Sequence, residues 1–480
     1  MSSSLKNNIL YSYIYQLLII ILPLITAPYV SRVLGPNGVG EYAYYYSIAQ
    51  YFLLFVMMGI VNYGSRAVSI SISNNSKQET KRIVSEIYLI QISLFIVISI
   101  TYLILNYLSS KNPTLSTIMY LVILSGGIDI SWLYFGLEKF KTTVTRNLII
   151  KILSFILIFC IVKNKDDINN YALIITLSTL LSQLYLWLKL PIKINLLKSH
   201  FKIIHLKKII ILFIPVLAYS IYKIMDKIML GNLSSLYELG LFDNSEKISF
   251  LPLGFITAVG TVMMPRMSKV FHEKNNEKIN QYLDISFKLI TYLSLAISLG
   301  LMCISQILAP VFFGKAFTDC AMIIGVLSLS IPFISWANII RTQHLMPQMK
   351  DKIYVISSIY GAIINFSFNL YLIPKYGAIG AGYSTILAEF SVFLYMAVKT
   401  NQELHFFKRI LNERLFLLAI IGMSIIIYGI SSTLNPNLSS LISIILIGTV
   451  LFGIVILYFI LKDPMLSSKI RSIGVLNKQK

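Results

Sequence analysis

Residues 219–231 read YSIYKIMDKIMLG and close an apolar run that begins at Ile209. From Ile209 to Gly231 the run is long enough to cross a bilayer as a helix, which takes about 20 residues. It nevertheless holds Lys223, Asp226 and Lys227. Each such side chain at bilayer depth costs roughly 2.5 to 3.5 kcal/mol on the insertion scale, so something must compensate. At helical spacing Lys223 and Lys227 share one face a turn apart, and Asp226 is the i+3 neighbour of Lys223. One carboxylate therefore lies between two ammoniums. Either the trio neutralises itself and ties its helix to neighbours, or it lines a polar cavity.

The rest of the chain is built of similar runs. Of its 480 residues 56% are hydrophobic and 13% charged, and its mean hydropathy is +0.75, the signature of an all-α polytopic membrane protein. About fourteen apolar runs of span length follow one another, from Ile9 to Pro28 at the start to Leu438 to Leu461 at the end. The 41 Lys and Arg exceed the 20 Asp and Glu, for a net charge of +21. Their placement argues against a nucleic-acid partner, because they gather in short connections between apolar runs, where they orient helices and meet anionic lipid headgroups.

Alternate connections are rich in them: Arg66 to Arg82, Lys139 to Arg146, Lys189 to Lys208, Arg266 to Lys278, Arg341 to Lys352, Lys399 to Arg414, and the tail from Lys462. The intervening connections hold Arg32, Lys111, Lys163, Lys165, Lys315 and Lys375. This alternation places both termini on the cytoplasmic side. The connections on the other side are all short, without the large external loop expected of an enzyme that polymerises sugars there. No nucleotide-binding loop, HExxH pair or haem-ligating His within a span is present. Cys160, Cys303 and Cys320 are odd in number and form no disulfide framework or metal motif. His200, His205, His272, His344 and His405 fall in or beside cytoplasmic connections, where a solvated surface is expected.

The connection from Ile192 to Lys208 divides the chain at its midpoint. The expected organisation is residues 1–208 with spans 1–6, 209–412 with spans 7–12, and 413–480 with two more spans and a cytoplasmic tail. Halves with an even number of spans enter from the same side, so a repeat would follow a pseudo-two-fold axis along the membrane normal. Arg32 to Tyr42 reads RVLGPNGVGEY and Met229 to Phe242 reads MLGNLSSLYELGLF. Each has Leu-Gly, a short turn, then Gly, one residue and an aromatic. GAIGAGY from Gly377 to Tyr383 is a similar entry. Glycine at these places allows positive-φ turns and close helix approach.

Four stretches carry a family resemblance: SRVLGPNGVGEYAYYYSI from Ser31, WLYFGLEKFKTTVTRNLIIKI from Trp132, DKIMLG from Asp226, and RTQHLMPQMKDK from Arg341. With the fourteen-span layout they make the chain resemble the Wzx-type polysaccharide flippases, in the superfamily that also holds multidrug and toxin extrusion (MATE) exporters and lipid II flippases. The resemblance implies a two-lobed MATE-like transporter, not an enzyme, in the bacterial cytoplasmic membrane. Its substrate would be an undecaprenyl-diphosphate-linked oligosaccharide for capsule, O-antigen or a similar polysaccharide, moved by alternating access. Polysaccharide polymerase and glycosyltransferases would be its partners. A cation-coupled drug antiporter and a lipid II flippase are the alternatives within the superfamily.

A diphosphate needs cations, and Lys supplies them as point charges. Lys223 and Lys227 lead the candidates, followed by Arg32 near the end of the first span and Lys151 in the fifth, with Asp226 as charge partner. Within spans the five cations Lys151, Lys223, Lys227, Lys247 and Lys288 are balanced by the five anions Asp129, Asp226, Asp243, Glu246 and Glu389, so the spans as a whole are not cationic. Asp243 and Lys247 form an i, i+4 pair, and Lys288 is expected to snorkel to the interface. Asp129 and Glu389 lack a partner within one turn and are candidates for a coupling ion, H+ or Na+; no other cofactor is expected. The tyrosines from Tyr42 to Tyr51 fit an interfacial aromatic belt, with sugar stacking as the lesser reading.

Overall fold

A computed structural model describes residues 3–73, 76–196 and 200–467, and among these every regular element is helical. The chain divides into two compact units, Met1–Gly240 and Leu241–Lys480. The first holds α1 (Ser3–Met57), α2 (Ile60–Ser73), α3 (Lys77–Ser109), α4 (Pro113–Gly127), α5 (Ser131–Gly136), α6 (Phe140–Ile161), α7 (Ile168–Leu188) and α8 (Ile203–Leu233). After α9 (Leu236–Phe250), which runs across the boundary, come α10 (Leu253–His272), α11 (Asn276–Phe313), α12 (Cys320–Ser328), α13 (Ile331–Ile339), α14 (Asp351–Leu404), α15 (Phe406–Asn412), α16 (Arg414–Thr433) and α17 (Leu438–Lys462).

Ten helical segments among the described residues are long and apolar enough to cross a membrane, or eleven with the pair α9 and α10 counted together. Rows of exposed aliphatics, such as Ile96, Val97, Ile100 and Ile104 on α3, would be intolerable in water and are ordinary against lipid. This is a multi-pass membrane protein.

Two segments, Leu22–Ser73 and Asp351–Leu404, are 52 and 54 residues long. Both exceed the bilayer's need more than twofold, and both break at a glycine with positive φ, Gly35 (70°) and Gly377 (54°). These are the glycines of the RVLGPNGVG and GAIGAGY stretches, and L side chains are strained in that region. On α14, a Cβ at Gly361 would lie 2.4 Å from the Val392 side chain. A straight helix would separate those residues by about 46 Å, so the chain reverses at Gly377 and its arms pack antiparallel. The Gly40 and Gly240 of the two related stretches meet each other. A Cβ on Gly40 would sit 1.7 Å from the Leu236 carbonyl oxygen, and one on Gly240 would sit 2.0 Å from that of Pro36.

Three runs that read as continuous spans are interrupted. Leu115 to Leu137 divides into α4 and α5 after Gly126 and Gly127; Cys320 to Ile340 divides at Leu329 and Ser330 before Pro332; Leu239 to Met263 bends by 44° at Leu251 and Pro252. Proline removes a donor and clashes with the preceding turn, which explains the last two breaks. At the first, Gln91 of α3 is fully buried and receives the freed carbonyls. Its Nε2 donates to Gly126 O (2.7 Å) and Asp129 O (2.8 Å), and its Oε1 accepts from Trp132 Nε1 (3.0 Å). Trp132 anchors the first unit's core with Ile60, Ile87, Leu133 and Leu186. In the second unit α11 packs against α10, α12, α13, α16 and α17, over a core containing Phe287, Trp336, Phe393 and Phe406.

Candidate functional site

Helix α8 carries the central charges. It has 31 residues, and Lys223 lies ten residues from its end at Leu233, about 15 Å by helical rise and so near half the thickness of a hydrocarbon core. Asp226 is buried at 4% exposure, while Lys223 and Lys227 are half-buried. A buried carboxylate persists when paired. By sequence this stretch of α8 holds two ammoniums to one carboxylate. α8 packs against α1, and Tyr44 of α1 donates its hydroxyl hydrogen to Asn232 Oδ1 of α8 at 2.9 Å. Arg32 is exposed on α1, three residues before the break at Gly35. The fold thus sets the second arm of α1, beyond Gly35, against α8 within the first unit, while Arg32 lies on the first arm.

The other candidates are dispersed. Lys151 is exposed on α6 beside exposed Ile152 and Leu153. Asp129 lies in the break before α5, and its Oδ1 accepts from the Ser131 backbone N–H at 2.7 Å. That bond caps the chain's entry into α5. Glu389 is buried at 5% exposure on the second arm of α14. Lys247 pairs with Asp243 as their spacing predicts. Lys288 pairs with Asp463 and lies 3.9 Å from Glu413, whose Oε2 accepts from Tyr292 O–H at 2.6 Å. Folding the tail helix back onto α11 supplies partners that no local spacing reveals.

Two of the five histidines are not solvated. His205 Nε2 is 3.0 Å from Glu86 Oε2 and its Nδ1 is 2.6 Å from Tyr63 Oη. With Nε2–H donating to the carboxylate, Nδ1 accepts from Tyr63 O–H, and a neutral ring satisfies both. Glu86 also receives Arg82 Nε and Lys202 Nζ, each at 2.9 Å. His344 is 3% exposed and lies 2.9 Å from Glu403, which also accepts from Lys350 at 2.7 Å. Glu86 and Arg146 both lie within apolar runs and belong in the balance of intramembrane charge, from which the sequence reading omitted them. Arg146 is 6% exposed, with Nη1 donating to Ser182 O and Gln183 Oε1 at 3.1 Å each. The tyrosine belt is corrected in part as well. Tyr42 and Tyr45 are buried against Leu115, Met119 and Ala172 instead of facing headgroups.

The fold is shared with solved transporters. The lipid II flippase MurJ in an inward closed conformation superposes with a TM-score of 0.74 at 18% identity, covering 94% of this chain and 98% of that one. An inward-facing MATE multidrug transporter gives 0.60 at 14% identity, covering 81% and 99%. At such identities the likeness establishes the fold. The family follows from sequence: residues 5–271 match the family model described as polysaccharide biosynthesis protein, and the chain belongs to that family. A Shigella dysenteriae protein named "Putative O-antigen transporter" is 25% identical over 405 residues, 82% of this chain and 99% of its own. The capsular polysaccharide biosynthesis protein CapF of Staphylococcus aureus is 25% identical over 399 residues, 80% and 96% of the two chains.

Proposed function

We propose that this protein moves undecaprenyl-diphosphate-linked oligosaccharide units across the bacterial cytoplasmic membrane by alternating access, supplying a surface polysaccharide such as capsule or O-antigen. The observation that carries this reading is the charged face of α8, with Asp226 buried between two half-buried lysines deep in an apolar helix. A diphosphate cannot enter hydrocarbon unscreened, and retaining three charges at that depth is costly unless they serve a ligand. In this mechanism Lys223 and Lys227 hold the diphosphate, Asp226 positions them, and Arg32 and then Lys151 add cationic contacts along the path. The polyprenyl tail stays in lipid while the glycan takes a wet route.

Glu389 is the first choice for binding a coupling H+ or Na+; Asp129, whose carboxylate already caps a helix, is the second. In this reading the two longest segments count as two spans each, divided at Gly35 and Gly377, and α8 and the bent pair count as one each, for fourteen spans; the alternation of Lys and Arg supports cytoplasmic termini. Glycosyltransferases would deliver the lipid-linked unit and a polymerase would consume it.

Depletion of the protein tests the proposal: surface glycan is expected to fall while its lipid-linked precursor accumulates in the cytoplasmic leaflet. A Lys223→Ala, Lys227→Ala double variant is expected to leave that defect uncorrected. Normal levels of both glycan and precursor on depletion would reject the transport reading in favour of a cation-coupled drug antiporter. Full rescue by the double variant would reject the site alone.

A further inference from the structure

A cavity of about 400 Å³ opens in the first unit, where the ends of α3 and α8 approach the second arm of α1. Its size is that of a small-molecule site. Rings of Tyr44, Phe52 and Tyr102 line it, as do the planar polar groups of Glu41, Asn106 and Asn232. Aromatic faces beside planar hydrogen-bonding groups are what a pyranose needs, since its C–H face packs on rings while its hydroxyls, in the ring plane, bond to amides and carboxylates. The cavity also holds one ammonium, Lys111, against the carboxylate of Glu41, so it favours neither sign of ion. Its lining is more apolar than polar, with Ile48, Leu105 and Leu236 beside the rings, and the polar groups are few and placed between them.

Unspent hydrogen-bonding capacity lies in its wall. Asn106 Oδ1 and Ser110 Oγ are buried and have no hydrogen-bond partner among the described residues, a cost the fold would shed unless a ligand or water used those groups. The rest of the frame is held firmly. Tyr45 O–H accepts from the Asn112 backbone N–H at 2.7 Å, Asn112 Nδ2 donates to Glu41 Oε1 at 2.8 Å, and Tyr102 O–H donates to Ser116 O at 2.7 Å.

We infer that this cavity binds a neutral sugar ring of the transported glycan. The inference rests on the proposed transport function and deepens it. Lys111 belongs to the sparsely charged set of connections, which places the cavity at the outer face and makes it a site for the glycan as it leaves.

The test uses the purified full chain in lipid nanodiscs and, as probe, the oligosaccharide repeat unit released from the surface polysaccharide of the producing strain. Saturation-transfer NMR is expected to show transfer to sugar ring protons in the wild type. Binding should weaken about tenfold in Tyr44→Ala and about threefold in Asn106→Ala. Asn106→Ala removes an atom without a partner and one long hydrogen bond from Nδ2 to Thr117 Oγ1 (3.4 Å), so its melting temperature should stay close to that of the wild type, which keeps the test independent of folding. Equal binding by wild type and both cavity variants would overturn the inference. So would absent binding by the wild type in a strain whose depletion blocks export; that result would leave the transport function standing.

Discussion

Each unit has a glutamate joined to a histidine and a lysine, and the two clusters are built in opposite senses. In the first, the carboxylate is hidden: the Glu86 side chain is 2% exposed, against 11% for His205 and 35% for Lys202. In the second, the imidazole is hidden, with the His344 side chain at 3% and Glu403 at 48%. Burying a carboxylate obliges the fold to surround it with donors, and Glu86 has three. Burying an imidazole obliges it only to supply one acceptor and one donor. The first cluster therefore ties α2, α3 and the start of α8 together, while the second is an ordinary surface ion pair leaning on a buried ring.

Loss of the carboxylates would separate the two cases most sharply. Glu86→Ala leaves Arg82, Lys202 and His205 facing a void and is expected to cost about 2 to 3 kcal/mol, because buried charged hydrogen bonds are expensive to leave unmade. Thermal unfolding in detergent checks this, and a loss no larger than that of Glu403→Ala would erase the distinction. Glu403→Gln should cost about 0 to 1 kcal/mol and should lose even that in molar salt, since its pair with Lys350 is half-exposed and screened. A salt-insensitive loss at Glu403 would mean that the pair is buried in the membrane-embedded protein.

Asp463 stands between the extremes. Burial pushes its carboxyl up, but the hydrogen bond from Lys288 and those from the Leu466 and Met465 backbone N–H groups outweigh it, leaving the group below its ordinary value. A depressed carboxylate contributes stability that is fully present above the unfolded value of about 3.9 and is lost as pH falls through the folded one. Melting of the wild type should therefore exceed that of Asp463→Asn at pH 7, with the gap closing toward pH 3. A gap constant over that interval would show that Asp463 acts through shape alone.

The clusters also mark what a linear reading can find. Lys223, Asp226 and Lys227 stood out because a local apolar background made their cost visible, and Asp243 with Lys247 followed from helical spacing. Gly35 and Gly377 were legible as turn glycines within their motifs. Glu86 and His205 were not, because their partnership spans 119 residues and depends on α3 packing beside the start of α8. Lys288's partner was not legible for the same reason, lying 175 residues away. The cavity draws on three separated stretches, of which the dense tyrosines alone gave a signal.

Hydrophobic run length and the alternation of Lys and Arg determined, by themselves, that the chain is a polytopic helical membrane protein, since both are local responses to the cost of placing apolar groups in water and charge in lipid. Which charges pair across distant helices and where a cavity remains was decided by tertiary packing. Those outcomes depend on which distant helix supplies the missing donor, acceptor or volume, and no local pattern encodes that choice.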